Sequence, residues 1–132
     1  MKKAPRKVYV VDNGFVAAKA FSVTENLGRL LENQVFIELV RRGYDTEKTM
    51  FYYRSRNDKE VDFVLRQGAH IERLVQVCYD LSSPKTEKRE VDAIVECACE
   101  LKCDSLTIVT YDDDRTIEKD GYRIDVIPIS KF

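Results

Sequence analysis

The order of its periodic segments constrains the fold of this chain more than any other feature of the sequence. A short strand-like run at Lys7–Asp12 is followed by leucines and valines at helical spacing, which predict a helix from about Thr24 to Arg42. Three strand-like runs, a second helix and two final strands come next: Met50–Arg54, Glu60–Arg66, about Arg73–Tyr79, Pro84 to about Lys102, Leu106–Tyr111 and Tyr122–Pro128. This order predicts an α/β domain with one mixed central sheet flanked by helices.

Two of the connections between these runs are short enough for β-hairpins. They are Ser55–Lys59 and Gln67–His70. The three central strands are therefore expected to form an antiparallel meander. The stretch between the last two strands, which holds Asp112, Asp113 and Asp114, is expected to be a polar, solvated loop.

Length and charge narrow the classes of function. The 132 residues fit one domain, and no linker, repeat or low-complexity tract divides them. The 22 Lys and Arg residues nearly balance the 23 Asp and Glu residues, so no overall basic field attracts nucleic acid. DNA contact would need a local patch such as Arg54–Lys59 or Lys85–Arg89. Charged segments of this kind are usually solvated, so DNA is not the favoured partner.

The expected compartment is the cytoplasm. No apolar run approaches the roughly 20 residues of a membrane-spanning helix, and no signal peptide opens the chain, so no membrane partner is expected. Cys97, Cys99 and Cys103 fall within one helical segment, which favours reduced thiols over a disulfide framework. A zinc site that includes Cys78 is disfavoured because there is no second Cys-x-x-Cys pair and His70 is the only histidine.

Polar residues in two of the central strands are the first candidates for a site. Strand alternation sets Asp62 on the face opposite Val61 and Phe63. In the next strand, Gln76 and Cys78 share a face because they are two residues apart. An acid in mid-strand needs partners if it is buried, so Asp62 stands either in a structural ion pair or at a metal position.

The first helix supplies a further candidate, Glu32. Gly28 lies one turn before it and Phe36 one turn after it, so the carboxylate is expected beside apolar surface with open space above it. A structural alternative is an ion pair between Glu32 and Arg29.

Segments along nearly the whole chain, in order, resemble the C-terminal domain of unknown function of prokaryotic AAA-type ATPases. That domain has a restriction-endonuclease-like, PD-(D/E)xK nuclease fold, and the resemblance implies its αβββαβ core. The segments that carry the resemblance are Lys7–Phe15, Gly28–Asn33, Glu38–Gly43, Glu60–Val64, Val75–Leu81 and Val126–Ile129.

The resemblance implies roles for the candidate residues. Nucleases of this kind hold Mg²⁺ with two or three carboxylates and use a lysine beside the attacking water. Asp62 matches the strand acid, Glu32 the helix acid, and the acid-x-Lys slot falls on Gln76-Val77-Cys78. Many relatives look as if they carry Glu-Val-Lys there. Each lost electrostatic group commonly costs about 10²–10³ in rate, so the four positions Glu32, Asp62, Gln76 and Cys78 are expected to be remnants of an inactive site.

Three functions remain open at this point. The leading one is an accessory or regulatory module of an AAA-type ATPase, and the alternative is a metal-dependent DNA nuclease in which Glu32 and Asp62 weakly bind Mg²⁺. The third is a domain that only mediates assembly of the parent protein. Whatever the function, Gln76 and Cys78 are expected to be sheet-packing residues.

The expected partner is an ATPase domain of the same parent protein. No glycine-rich phosphate loop followed by Lys-Ser or Lys-Thr occurs, so this chain is not expected to bind ATP by that route, and no cofactor is expected in it. Residues 1–132 are then one nuclease-like domain, with residues 1–20 as the join to the ATPase region.

Overall fold

The computed structural model describes residues 23–132. The predicted strand at Lys7–Asp12 and the proposed join at residues 1–20 lie outside these residues. The described part holds two helices, six strands and a 3-10 turn: α1 (Val23–Arg41), β1 (Met50–Arg54), β2 (Glu60–Gln67), β3 (His70–Val77), α2 (Pro84–Leu101), β4 (Leu106–Thr110), β5 (Arg115–Lys119), β6 (Tyr122–Pro128) and the turn Ile129–Lys131.

The strands form one mixed sheet in the order β1-β2-β3-β4-β6-β5. β1, β2 and β3 are antiparallel neighbours, which confirms the predicted meander. β4 runs parallel to both β3 and β6, and β5 is antiparallel to β6 at the edge. The predicted α/β class with a mixed sheet and two flanking helices is therefore confirmed.

Strand β5 lies where the sequence predicted only a polar loop. Four of its five residues are exposed, so no apolar alternation indicated a strand. The signal that could have found it is the pair Asp120-Gly121, which has φ values of 51° and 83°. Positive φ at both central residues is what a two-residue β-hairpin turn requires, and here Lys119 pairs with Tyr122 across the turn.

Each helix covers one face of the sheet. α2 packs with Ile94 and Ala98 onto a buried cluster that includes Val64 and Leu74. α1 packs with Val35 and Leu39 onto a second cluster on the other face: Met50, Phe63, Leu65, Val75 and Val109. Burial on both faces explains why the central strands have buried side chains in near-continuous runs.

The predicted alternation of β2 is wrong at Val61. Phe51 pairs with Val64 and Tyr53 with Val61, so two steps along β1 match three steps along β2. Such an extra residue is a β-bulge, which turns the following side chains over. Val61 consequently joins the cluster under α2 together with Val64, whereas Phe63 joins the cluster under α1.

Three further features are the exposure of His70, the burial of the cysteines and the apolar character of the helices. The sequence places His70 at a hairpin tip and so predicts that it is exposed, which the β2–β3 hairpin confirms. The helical spacing of Cys97, Cys99 and Cys103 predicts buried reduced thiols. The four thiols are free and Cys97 and Cys103 are buried, but Cys99 is exposed, so the predicted burial is wrong there. Within residues 23–132, neither helix combines the length and apolarity that crossing a bilayer would demand.

Candidate functional site

A cavity of about 460 Å³ lies between the first turns of α1, the beginning of β2, the end of β3 and the beginning of α2. All four residues that the sequence singled out line it: Glu32, Asp62, Gln76 and Cys78. The other lining residues are Glu25, Gly28, Arg29, Glu60, Val77, Tyr79, Asp80, Thr86, Arg89 and Glu90. The structure thus brings Glu32 and Asp62 into one cavity with Gln76, as expected, while their chemical roles stay predictions.

Side-chain hydrogen bonds replace main-chain hydrogen bonds where the pairing of β2 with β3 ends. The last matched pair of residues at this end is Phe63 with Val75. Beyond it, the backbone N–H of Asp62 donates to Gln76 Oε1 at 2.9 Å, and the N–H of Val77 donates to Asp62 Oδ2 at 2.9 Å. Buried main-chain groups must find partners, so Asp62 and Gln76 supply those that the ladder no longer provides.

The side chain of Gln76 is fully used in this arrangement. The residue is only 6% exposed. Besides accepting from Asp62, its amide donates to the carbonyl of Glu60 at 3.2 Å and to Glu90 Oε2 at 2.7 Å. An amide has one acceptor group and two donor hydrogens, and each has a partner here. Gln76 is therefore a cross-link between β2, β3 and α2.

Sequence reasoning missed Glu90, which completes this network. Its side chain is only 15% exposed, and Oε1 lies 3.3 Å from Arg89 Nη2. Burial raises the pKa of Glu90, and the charge of Asp62 raises it further, against the opposing effect of the hydrogen bond from Gln76. A signal was present, since Glu90 lies one helical turn before buried Ile94 and thus on the sheet-facing stripe of α2.

Cys78 shares the α2 side of the sheet with Gln76. It packs against the same buried cluster, and its Sγ lies 3.4 Å from the carbonyl oxygen of Asp80. Burial raises the pKa of the Cys78 thiol to about 11, with a further contribution from the charge of Glu90. The thiol is therefore neutral near pH 7, so it offers neither a cation nor a thiolate nucleophile.

Glu32 reaches the cavity from the opposite side, on α1. It is half-buried, and a Cβ added at Gly28 would meet no atom within 4 Å, which agrees with the expected space around this carboxylate. Across the described part of the chain, no group of three or more His, Cys, Asp or Glu side chains is placed to hold a metal ion. With Asp62 Oδ2 turned to Val77 and Gln76 turned to the backbone, the side chains do not fit the Mg²⁺ site of the nuclease alternative.

Replacing Glu90 with glutamine should stabilise the protein near neutral pH. A carboxyl whose pKa is raised on folding binds its proton more tightly in the folded state, so its contribution to stability falls as pH rises. The fall begins at the ordinary value of 4.5 and ends at the raised pKa of the folded protein. The new amide would keep an acceptor for the amide of Gln76 without the buried charge.

Thermal melts between pH 4 and pH 8 test this prediction. We expect the melting temperature of Glu90→Gln to exceed that of the wild type at pH 7, with the difference shrinking towards pH 4. Glu118→Gln, on exposed β5, is the matched control and should follow the wild type. A Glu90→Gln protein that melts below the wild type at pH 7 would mean that pairing with Arg89 outweighs the burial of the charge.

The sequence matches one protein family and is similar to proteins of two organisms. Residues 27–132 match the family described as a domain of unknown function, DUF4143. An uncharacterized protein of Methanocaldococcus jannaschii is 36% identical over 132 residues, which cover 96% of this chain and 29% of that protein. An uncharacterized protein of Haemophilus influenzae is 35% identical over 79 residues, covering 60% of this chain and 18% of that protein. The chain thus spans less than a third of these relatives.

One solved structure aligns with most of the chain. It is a chain in an assembly of Thermococcus gammatolerans McrB AAA+ hexamers with bound McrC, and the alignment covers 82% of this chain and 29% of that one. The TM-score is 0.45 and the identity 12%, which is too low to establish a shared fold.

Proposed function

This chain belongs to the DUF4143 family, and we propose on that premise that it is an accessory, regulatory domain of a longer AAA-type ATPase, with a nuclease-like layout but without nuclease activity. The observation that carries the proposal is the hydrogen bonding of Gln76. In an acid-x-Lys site, the first position supplies a metal-binding oxygen and the third an ammonium group. Here the first position is an amide engaged with Asp62, Glu60 and Glu90, and the third is the neutral thiol of Cys78.

The state of Asp62 supports the same proposal. One of its carboxylate oxygens accepts the Val77 N–H and so helps to close the end of the sheet. A metal ion bound to Asp62 would compete with the Val77 N–H for the same carboxylate oxygen. Asp62 and Gln76 are thus engaged with the main chain, which favours contact with another domain over chemistry as the function of this surface.

The ATPase partner rests on the sequence resemblance and on the length of the relatives. The archaeal relative is 36% identical, and this chain spans only 29% of it, so the domain occurs there as part of a longer polypeptide. The chain itself has no phosphate-binding loop of the Gly-rich, Lys-Ser or Lys-Thr type. Nucleotide chemistry would therefore belong to another part of such a protein.

A metal-dependent nuclease is the second candidate, because the cavity holds a carboxylate that the sequence pattern did not indicate. Glu90 lines the cavity together with Glu32 and Asp62, although no three acids of residues 23–132 are placed to hold a metal ion as they stand. Under this candidate, Glu90 would stand in for the acid that Gln76 replaces, and Asp62 and Gln76 would have to give up their main-chain hydrogen bonds before a metal ion could bind.

A cleavage assay tests the proposal against this second candidate. We expect no cleavage of single- or double-stranded DNA above background when the purified protein is incubated with Mg²⁺ or Mn²⁺. The reason is that no lysine of residues 23–132 lines the cavity and that Gln76 and Asp62 are hydrogen-bonded to the backbone.

Point variants decide the origin of any activity. Cleavage that is lost in Asp62→Ala and in Glu90→Gln, but kept in Asp104→Ala, would refute the inactive-domain proposal. Asp104 is the matched control because it is an exposed carboxylate outside the cavity. Activity that survives all three substitutions would come from a contaminating nuclease.

A further inference from the structure

The same dipeptide ends two neighbouring strands of the sheet. Tyr79-Asp80 follows β3, and Tyr111-Asp112 follows β4. β3 and β4 are parallel with Val77 opposite Val109, and the N–H of Tyr111 donates to the carbonyl of Tyr79 at 3.1 Å. The two dipeptides therefore lie side by side in matching positions.

This register brings the two tyrosine rings into a stack. Their centroids are 5.1 Å apart and their planes differ by 17°. Tyr111 is nevertheless 54% exposed, although large aromatic side chains are usually well buried. Stacking on Tyr79 covers one face of the Tyr111 ring, so the exposed fraction leaves the other face to solvent.

Two arginines elsewhere in the chain show what such a face can bind. The guanidinium of Arg42 lies 4.5 Å from the ring centroid of Phe132, and that of Arg66 lies 4.6 Å from the ring centroid of Phe51. No guanidinium of residues 23–132 lies over Tyr79 or Tyr111. The stacked pair thus presents an open cation–π surface as far as the described chain is concerned.

The charge around the stack is negative. Asp80 is exposed, and hydrogen bonds from Ser82 lower its pKa, so it stays ionised. Asp112 is exposed too, and no basic side chain within residues 23–132 forms an ion pair with it. Tyr79 and Asp80 also line the cavity, whose lining has six carboxylates against the two guanidinium groups of Arg29 and Arg89. A cation approaching the rings is attracted and a phosphate is repelled.

We propose that this tyrosine–aspartate surface, formed by Tyr79, Asp80, Tyr111 and Asp112, binds an arginine side chain of a partner polypeptide. The guanidinium lies on the open face of Tyr111 and pairs with a neighbouring carboxylate. Arginine fits better than lysine because its planar group stacks on an aromatic face while it donates a two-pronged hydrogen bond. This inference does not depend on whether the neighbouring cavity is catalytically inactive.

Nucleic acid is the main competing occupant, because bases also stack on exposed tyrosines. The backbone phosphates of a strand bound there would meet the exposed carboxylates of Asp80 and Asp112. Charge complementarity therefore favours the basic peptide.

The test is an NMR titration of the protein with the peptide Gly-Arg-Gly-Arg-Gly. We expect saturable shifts that include the amides of Tyr79 and Tyr111, and none with Gly-Glu-Gly-Glu-Gly. Tyr111→Ala should weaken binding about 2–5-fold, the range for loss of a cation–π contact at an exposed site, whereas Tyr111→Phe keeps the ring and should bind like the wild type. Asp112→Asn should weaken binding and reduce its salt dependence, and Asp104→Asn, at an exposed site away from the rings, should change neither.

Three results would overturn the proposal. One is the absence of shifts at the tyrosines in a protein whose thermal melt is normal. Another is unchanged affinity in a folded Tyr111→Ala variant. The third is binding of oligothymidylate at the same tyrosines, lost in Tyr111→Ala, together with no response to the arginine peptide, which would assign the surface to single-stranded nucleic acid.

Discussion

Replacing Gln76 with leucine is expected to lower the free energy of unfolding by about 2–4 kcal/mol. Leucine removes the acceptor for the N–H of Asp62 and the donors to the Glu60 carbonyl and to Glu90. A buried polar group left without a partner costs about 1–3 kcal/mol, and several are stranded at once. Partial hydration from the cavity reduces the sum. For a domain of this size, the melting temperature should fall by about 10 °C.

Chemical denaturation of the two proteins measures this loss. Gln67→Leu is the matched control, because Gln67 is an exposed residue at the other end of β2 and its replacement should change stability by less than about 0.5 kcal/mol. Gln76→Glu is also informative, since a carboxylate cannot donate to Glu60 and would face Glu90 and Asp62. If Gln76→Leu were as stable as Gln67→Leu, the cross-link between β2, β3 and α2 would have no energetic importance. The hydrogen bonds of Gln76 would then give no support to a structural role for position 76.

Under the proposed function, removing this domain from the full-length protein should change nucleotide hydrolysis or its response to a partner by about 5–150-fold, the range of ordinary coupling free energies. This expectation is based on the sequence resemblance and on the hydrogen bonds that Gln76 and Asp62 make with the main chain. The measurement is ATP hydrolysis by the full-length protein and by a version that ends before Arg6, with and without DNA or added partner. Identical rates and responses would make the domain a passive appendage.

A point variant distinguishes the loss of an interdomain contact from general damage to the protein by truncation. The sequence predicts the contacts on the Lys7–Asp12 strand and on the exposed side of α1, because these segments are nearest in sequence to the proposed ATPase region. Gln34→Arg, at an exposed position in the middle of α1, should therefore reproduce part of the effect of truncation. Thr116→Arg, at an exposed position of β5, introduces the same side chain at the far edge of the sheet and should leave hydrolysis unchanged. An equal effect of the two substitutions would argue against α1 as the contact surface.

The candidate site was predictable to the extent that it depends on local periodicity. Gln76 and Cys78 were placed on one face because a strand has a period of two, and Glu32 was placed near Gly28 because a helix returns every three to four residues. The structure does bring these residues to one cavity with Asp62. Glu90 was overlooked because its importance comes from contact with Gln76, fourteen residues away on another element.

The sequence by itself determined the order of the two helices and of five of the six described strands, the central meander and the α/β class, since each follows from apolar spacing and short turns. Only the tertiary structure decided three other features: the bulge that turns Val61 and Phe63 to opposite faces, the pairing of polar β5 with β6, and the alignment of Tyr79 with Tyr111. The physical reason is the range of the interactions. Periodicity is set by neighbouring residues along the chain, whereas register, bulges and strand neighbours depend on hydrogen bonds and burial between segments that are distant in sequence.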